Sequence, residues 1–237
     1  MILAIDIGNT RLKWGVCDAP NSGFRAVGRL ALEELDKLRD DWRSLPALSR
    51  IGVASVADSS VNERVAAALA PIGIAPQWLA SQPRACGVTN GYERPAELGV
   101  DRFAALVAVR ARQAGDCLIV LAGTATTADM LSADGGFLGG AILPGLDLMK
   151  RSLANHTARL PFAQGAYRET PRNTADAIES GCLNAQAGAI ERMRARLGPE
   201  AACWISGGAA AAIVTVLAFP ATFVEHLVLE GVARLVS

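Results

Sequence analysis

Hydrophobic and polar positions alternate along this chain in two ways. Short apolar runs closed by glycine, asparagine, aspartate or proline predict strands over residues 2–7, 12–17, 51–56, 117–121, 126–131 and 137–142. Apolar residues recurring at three and four positions predict amphipathic helices over 33–45 and 60–69, a strongly apolar helix over 98–113 and the longest helix over 174–197. Toward the end, residues 203–205 read as a short strand, 209–217 as an alanine-rich helix and 224–235 as a closing helix.

The order of these elements matters more than their boundaries. A strand, a turn at Gly8 and Asn9 that suits left-handed backbone, and a second strand lead into alternating strands and helices. The same opening returns in VLAGTATTADMLSADGGFLGGAI near residue 123. This weak internal repeat predicts an α/β protein of two similar lobes, and two such lobes placed face to face would aim both hairpins into one cleft. RQAGD, ending at Asp116, interrupts the apolar pattern, so the lobes are expected at 1–112 and 113–237.

Composition narrows the partners. Of 237 residues, 51% are hydrophobic, mean hydropathy is +0.27, and 23 Lys and Arg balance 23 Asp and Glu. No basic field is present to attract nucleic acid, and the four scattered tryptophans form no stacking platform; small molecules and copies of the chain itself are the expected partners. MILAID lacks a basic leader and no stretch approaches the ~20 apolar residues that span a bilayer, which points to a cytoplasmic protein without membrane association. The five widely spaced cysteines read as reduced thiols, and neither His156 nor His226 pairs with another histidine or a CxxC at the spacing of a structural zinc site.

Chemistry concentrates at Asp6-Ile7-Gly8-Asn9-Thr10 and Lys13. A phosphate at a tight turn needs close backbone N–H groups, a hydroxyl or amide donor and a cation, while a nearby carboxylate can hold Mg²⁺ through water. An ordinary hairpin with an incidental acid is the competing reading of this segment. The second hairpin, Gly123-Thr124-Ala125-Thr126-Thr127 with Asp129, favours a nucleotide held from two sides. No GxxxxGK[ST] or GxGxxG follows a strand, which leaves phosphate binding to the hairpins.

The motifs DIGNTRLKWG (from Asp6), GVDR (from Gly99), GTATTAD (from Gly123) and GGAILPGLDL (from Gly139), followed by Leu160-Pro161, cover most of the chain. In this order they resemble the sugar kinase and actin superfamily of actin/ribonuclease H-like lobes, and within it type III pantothenate kinase. The resemblance implies an ATP-dependent enzyme that phosphorylates the hydroxyl of pantothenate, the first step toward coenzyme A. It implies that Asp6, Ile7, Gly8, Asn9, Thr10, Arg11, Leu12 and Lys13, with Gly123 and Thr124, hold ATP, with Mg²⁺ at Asp6 and Asp129 as a second candidate metal ligand. Asp101 would be the general base, and Tyr92, Gly99, Val100, Arg102 and Thr174 would surround pantothenate, Thr174 across a homodimer interface formed with the long helix.

Each assignment has a plainer alternative. Asp101 could simply favour a helix N-terminus, Arg102 could be solvated, Tyr92 could pack on Pro95, and Thr174 could be an N-cap. Ser206-Gly207-Gly208 could lie against adenosine or form only a tight turn. The family places an aspartate two residues before the second hairpin glycine, at a K⁺ or NH₄⁺ site; here that residue is Leu121, which cannot coordinate a cation. A non-catalytic ATP-binding regulator, or a kinase for another small acid or sugar, remain the alternative functions.

Overall fold

The computed structural model describes residues 1–43, 45–156 and 165–237; Leu160-Pro161 lies outside the described residues. In chain order, β1 (Ile2–Ile7), β2 (Arg11–Cys17) and β3 (Ala26–Ala31) precede α1 (Leu38–Arg43), β4 (Arg50–Ser55) and α2 (Ser59–Leu69). Short strands β5 (Gln77–Trp78), β6 (Arg84–Ala85) and β7 (Val88–Asn90) lead to α3 (Val100–Arg110). Next come β8 (Cys117–Ala122), β9 (Ala125–Leu131), β10 (Gly136–Pro144), α4 (Leu146–His156) and α5 (Thr174–Arg194). The chain closes with β11 (Ala202–Ser206), α6 (Ala210–Val214), β12 (Thr222–Phe223) and α7 (Leu227–Leu235).

These elements form two compact units. One comprises Met1–Ala114, Gly135–Phe137 and His226–Ser237; the other comprises Gly115–Asp134 and Leu138–Glu225. The first contains a sheet in the order β3-β2-β1-β4-β5, and the second carries the run β12-β11-β8-β9-β10. Read from the hairpin outward, the two runs have one topology. β1 pairs antiparallel with β2 and parallel with β4, as β8 pairs antiparallel with β9 and parallel with β11. The internal repeat seen in the sequence is therefore a repeat of sheet topology.

Period-two alternation gives the first sheet two buried faces. Leu3, Ile5, Ile7, Leu12, Trp14 and Val16 pack against Leu38, Trp42, Val65 and Leu69 of α1 and α2. Ile2, Ala4, Cys17 and Ala54, on the other face, pack against α3 and α7 through Val100, Ala104, Leu229 and Val232. α7, expected from the chain order at the end of the second lobe, joins the first unit because its apolar stripe completes this layer. Its backbone touches that of α3: a Cβ on Gly231 would lie 1.8 Å from the Ala104 carbonyl oxygen. In the second unit, Leu118, Val120, Ala122 and Ala128 of β8 and β9 pack with Ile178, Cys182, Ile190 and Ile213 of α5 and α6. The Lys150–Glu179 pair, 3.0 Å apart and largely buried, ties α4 to α5.

Local expectations shift in three places. The helix expected over 33–45 divides into a 3-10 segment, Leu32–Lys37, and α1, which keeps Leu35, Leu38 and Trp42 on one core. The helix expected from residue 98 starts at Val100, because a 3-10 turn over Pro95–Glu97 leaves Leu98 extended and Gly99 as N-cap. β3, α4 and the short strands β5, β6, β7 and β12 are additions to the expected elements. The weak pattern of β3 includes Gly28, whose missing side chain leaves room for the Trp14 indole: a Cβ there would come within 2.4 Å of the ring.

Candidate active site

The first hairpin turns between Ile7 and Arg11, closed by the Gly8 N–H donating to the Arg11 carbonyl oxygen at 3.0 Å. Neither Gly8 nor Asn9 adopts positive φ, so the left-handed turn expected from their identities is not used. The reversal instead spends three residues, Gly8, Asn9 and Thr10, of which Asn9 and Thr10 are exposed. Ile7 and Leu12 are fully buried in the core, so their side chains are unavailable and only their backbone can meet a ligand.

Asp6 and Lys13 stand directly opposite on β1 and β2, and alternation points both to the sheet face that carries α3. The Asp6 carboxyl is pushed up to about 7, chiefly by burial; the Lys13 charge opposes the rise and the Asp101 charge adds to it. Asp101 occupies the first turn of α3, with Gly99 as N-cap. A Cβ on Gly99 would lie 2.6 Å from Asp101 Oδ1, so glycine makes room for the carboxylate over the helix start. The helix dipole favours an acid there, and Asp101 remains part-exposed.

The next residue of α3 points into a different setting. Arg102 is 4% exposed and donates through Nη1 to Tyr92 Oη at 3.0 Å. Its guanidinium lies over the Tyr92 and Phe137 rings, 5.6 and 5.8 Å from their centroids. Asn90 orients this cluster by accepting from the Tyr92 N–H at 3.1 Å while donating to the Pro95 carbonyl at 2.9 Å. Arg102 is thus no solvated helix arginine. Val100, by contrast, is a core side chain beside Ile2, Ala4 and Ala54.

In the second unit the Gly123 N–H donates to the Ala125 carbonyl at 3.0 Å, and Gly123 and Thr124 are exposed at the turn. Two glycines of the quoted motifs press on this turn. A Cβ on Gly145 would lie 2.2 Å from the Gly123 carbonyl oxygen, and one on Gly207, at φ +109°, would lie 2.3 Å from that of Ala122. The Gly145 N–H also donates to the Thr124 carbonyl at 3.0 Å. The sequence singled out the motifs around Gly145 and Gly207, but their backbone contacts with the hairpin appear only in the fold. Thr126 and Thr127 are buried, and neither hydroxyl has a hydrogen-bond partner among the described residues.

Asp129 is buried and is not a free carboxylate, and Leu121 pairs with Thr127 two rungs away on the same face. Among the described residues no three His, Cys, Asp or Glu side chains converge as a metal cluster. Thr174 opens α5 but does not cap it: Asn173 does, its Oδ1 accepting from the Asp176 N–H at 2.9 Å. Thr174 instead lines an open apolar groove of about 460 Å³ with Met149, Leu153, Ala177, Ile178 and Cys182. The structure therefore brings Asp6, Lys13 and Asp101 together in one setting and Tyr92 and Arg102 in another, both in the first unit, whereas Gly123, Thr124 and Thr174 belong to the second.

A family model described as type III pantothenate kinase matches residues 2–196. A type III pantothenate kinase of Aromatoleum aromaticum is 51% identical over 235 residues, covering 98% of this chain and 96% of its own. Another, from an Azoarcus species, is 48% identical over 98% of this chain and 89% of its own. A solved structure from Campylobacter jejuni, described as a Baf family transcriptional activator, aligns with a TM-score of 0.63 at 20% identity, covering 97% of this chain and 94% of that one. At that identity the likeness speaks for the fold alone. Among the described residues no helix is long and apolar enough to cross a membrane.

Because native Asp6 titrates near 7 against an ordinary 3.8, the metal-free native state holds this proton more tightly than the unfolded chain. The stability that goes with protonated Asp6 is complete below the ordinary value and is lost as pH rises through about 7. Asp6→Asn, a neutral isostere, is expected to match wild type near pH 4 and exceed its stability by roughly 1–3 kcal/mol at pH 8. Urea unfolding in the presence of a chelator across this range checks it; a difference independent of pH would remove the burial argument.

Proposed function

The chain belongs to the type III pantothenate kinase family and phosphorylates pantothenate with ATP in coenzyme A biosynthesis, and within that activity we propose that Asp101 is the general base. The observation that carries this reading is the placement of the Asp101 carboxylate over Gly99, beside the Asp6–Lys13 pair and at a helix start. Asp101 accepts a hydrogen bond from the primary hydroxyl of pantothenate and orients that oxygen in line with the γ-phosphorus. It takes the proton late, as the oxygen–phosphorus bond forms and the bond to ADP breaks.

Lys13 holds the phosphate chain electrostatically, and the part-exposed Gly8 backbone with exposed Asn9, Thr10 and Arg11 binds its oxygens, with Ile7 and Leu12 contributing backbone alone. Gly123 and Thr124 of the second hairpin have the same phosphate-binding role. A single part-buried carboxylate beside a second acid fits a hydrated divalent cation, and Asp6 would hold Mg²⁺ through water. When bound, Mg²⁺ supplies positive charge to the phosphate oxygens. The buried, engaged state of Asp129 speaks against a second metal ligand there.

Tyr92 and Arg102 present a hydroxyl and a cation that suit the polar acceptor, and Gly99 leaves space for its approach. Val100, whose side chain is in the core beside Ile2, Ala4 and Ala54, would meet the acceptor through its backbone alone. The open groove along α4 and α5, with exposed Leu148 nearby, supports a homodimer in which Thr174 meets a second copy. The balanced charge and the absence of a membrane-spanning helix among the described residues accord with a cytoplasmic enzyme.

Three outcomes test these assignments. Asp101→Asn is expected to bind MgATP normally while kcat for pantothenate-dependent ADP release falls at least ~10²-fold. Retention of a third of wild-type turnover would remove the base. The apolar Leu121 leads us to expect a shallow dependence on monovalent cations, so rates in KCl, NH₄Cl, NaCl and choline chloride at equal ionic strength should be similar; collapse without K⁺ would mean that other oxygens form the site. Sedimentation at micromolar concentration should show a dimer, and a fully active monomer would refute the groove as an interface.

A further inference from the structure

β3 extends the Asp6–Lys13 pair by one strand. Its register with β2 sets Arg29 directly opposite Lys13, so Arg29, Lys13 and Asp6 form one cross-strand row over β3, β2 and β1. Strand alternation puts Arg11 on the same face, two residues before Lys13 and diagonal to Arg29. Farther along this face, Ile2, Ala4 and Cys17 are covered by α3 and α7, and the Phe24 ring lies over Gly15. Arg11 and Arg29 are exposed.

Within this row only Lys13 has a carboxylate, Asp6, directly opposite it. Like charges directly opposite one another on neighbouring strands repel, and a third cation stands on the diagonal. Among the described residues no carboxylate forms an ion pair with Arg11 or Arg29. The contrast is local: Arg25, in the loop leading into β3, pairs with Asp18, and Arg64 pairs with Asp36. Nothing in the packing of β3 calls for a cation at 29 either, since its inward face is carried by Ala26, Gly28 and Leu30. A polyanion lying along the row would remove the repulsion, and Cβ positions ~5 Å apart let the two long side chains reach one phosphate group.

We infer that Arg29 is a phosphate-binding residue that joins Lys13 in holding the polyphosphate chain of the nucleotide. The inference rests on the phosphate role proposed for the first hairpin. The planar Arg29 guanidinium can grip two oxygens of one phosphate in a fixed fork, whereas the lysine ammonium beside it acts as a point charge. The motif DIGNTRLKWG contains no sign of this residue, because Arg29 comes from the following strand and meets Lys13 only through sheet register.

The test compares wild type, Arg29→Gln and Arg29→Lys as full-length protein, with melting curves as a check on folding. Calorimetry measures MgATP, MgADP and AMP, and steady-state kinetics vary ATP and pantothenate separately. Arg29→Gln should raise both Kd and KM for MgATP about 10-fold, leave AMP affinity and KM for pantothenate within twofold, and lower kcat little, since the contact acts in ground and transition states alike. Arg29→Lys should recover most of the loss, because the charge is kept. MgATP affinity within twofold of wild type in Arg29→Gln overturns the inference, as does a rise confined to the pantothenate KM, which would assign the guanidinium to the acceptor's carboxylate. Should wild-type protein bind no MgATP, the phosphate role of the first hairpin fails with it; wild-type binding that Arg29→Gln leaves unchanged overturns Arg29 alone.

Discussion

The placement of a carboxylate at the end of an apolar strand face organises the first unit. β1 offers Ile2, Ala4 and then Asp6 to the layer of α3 and α7, and the first two positions are ordinary core. At the third, burial drives the acid toward its neutral form, Asp101 drives it further, and only Lys13 pulls it back. Ionising Asp6 is therefore opposed by burial and by one like charge, and favoured by one cation. The tight contact of Gly231 with Ala104 sets the α7–α3 spacing, and α3 in turn carries Asp101 and Arg102. Core packing and the charged site are parts of one layer.

Glycine works in both units by subtraction. Gly99 leaves room for the Asp101 carboxylate, and Gly28 for an indole on the neighbouring strand. Gly145 and Gly207 let backbone approach the second hairpin from α4 and from the end of β11. Both hairpins close on a backbone bond of their own, Gly8 to Arg11 and Gly123 to Ala125, but the first is otherwise held by the Leu32 N–H donating to the Thr10 carbonyl. The two hairpins share a strand topology but not their supports. This explains why the internal repeat is faint in sequence: the sheet order is preserved while the residues that buttress it differ.

Neighbouring residues on α3 show how a single helical step separates roles. Asp101 faces the hairpin charges, whereas Arg102 turns to Tyr92, Phe137 and the loop held by Asn90. A helix advances about 100° per residue, so adjacent side chains meet different surroundings. Reading GVDR as a linear motif places both residues at the site without distinguishing what each one touches. The Arg102 guanidinium lies over two rings and is hydrogen-bonded to Tyr92, which fixes its orientation.

The sequence alone determined the features governed by local chain physics. The alternating strands, the two hairpins, the major helices and the family motifs were legible because strand period, turn composition and helical spacing act over a few residues. So were Asp6, Lys13 and Asp101 as chemistry-bearing positions, since each sits within a contiguous motif. Tertiary structure decided what depends on pairing across distance. It set Arg29 opposite Lys13, brought α7 back onto α3, buried Asp129, passed the cap of α5 from Thr174 to Asn173, and pressed Gly145 on a turn many residues earlier. Those outcomes follow from sheet register and from which apolar faces remained to be covered, and neither is encoded in any one segment of the chain.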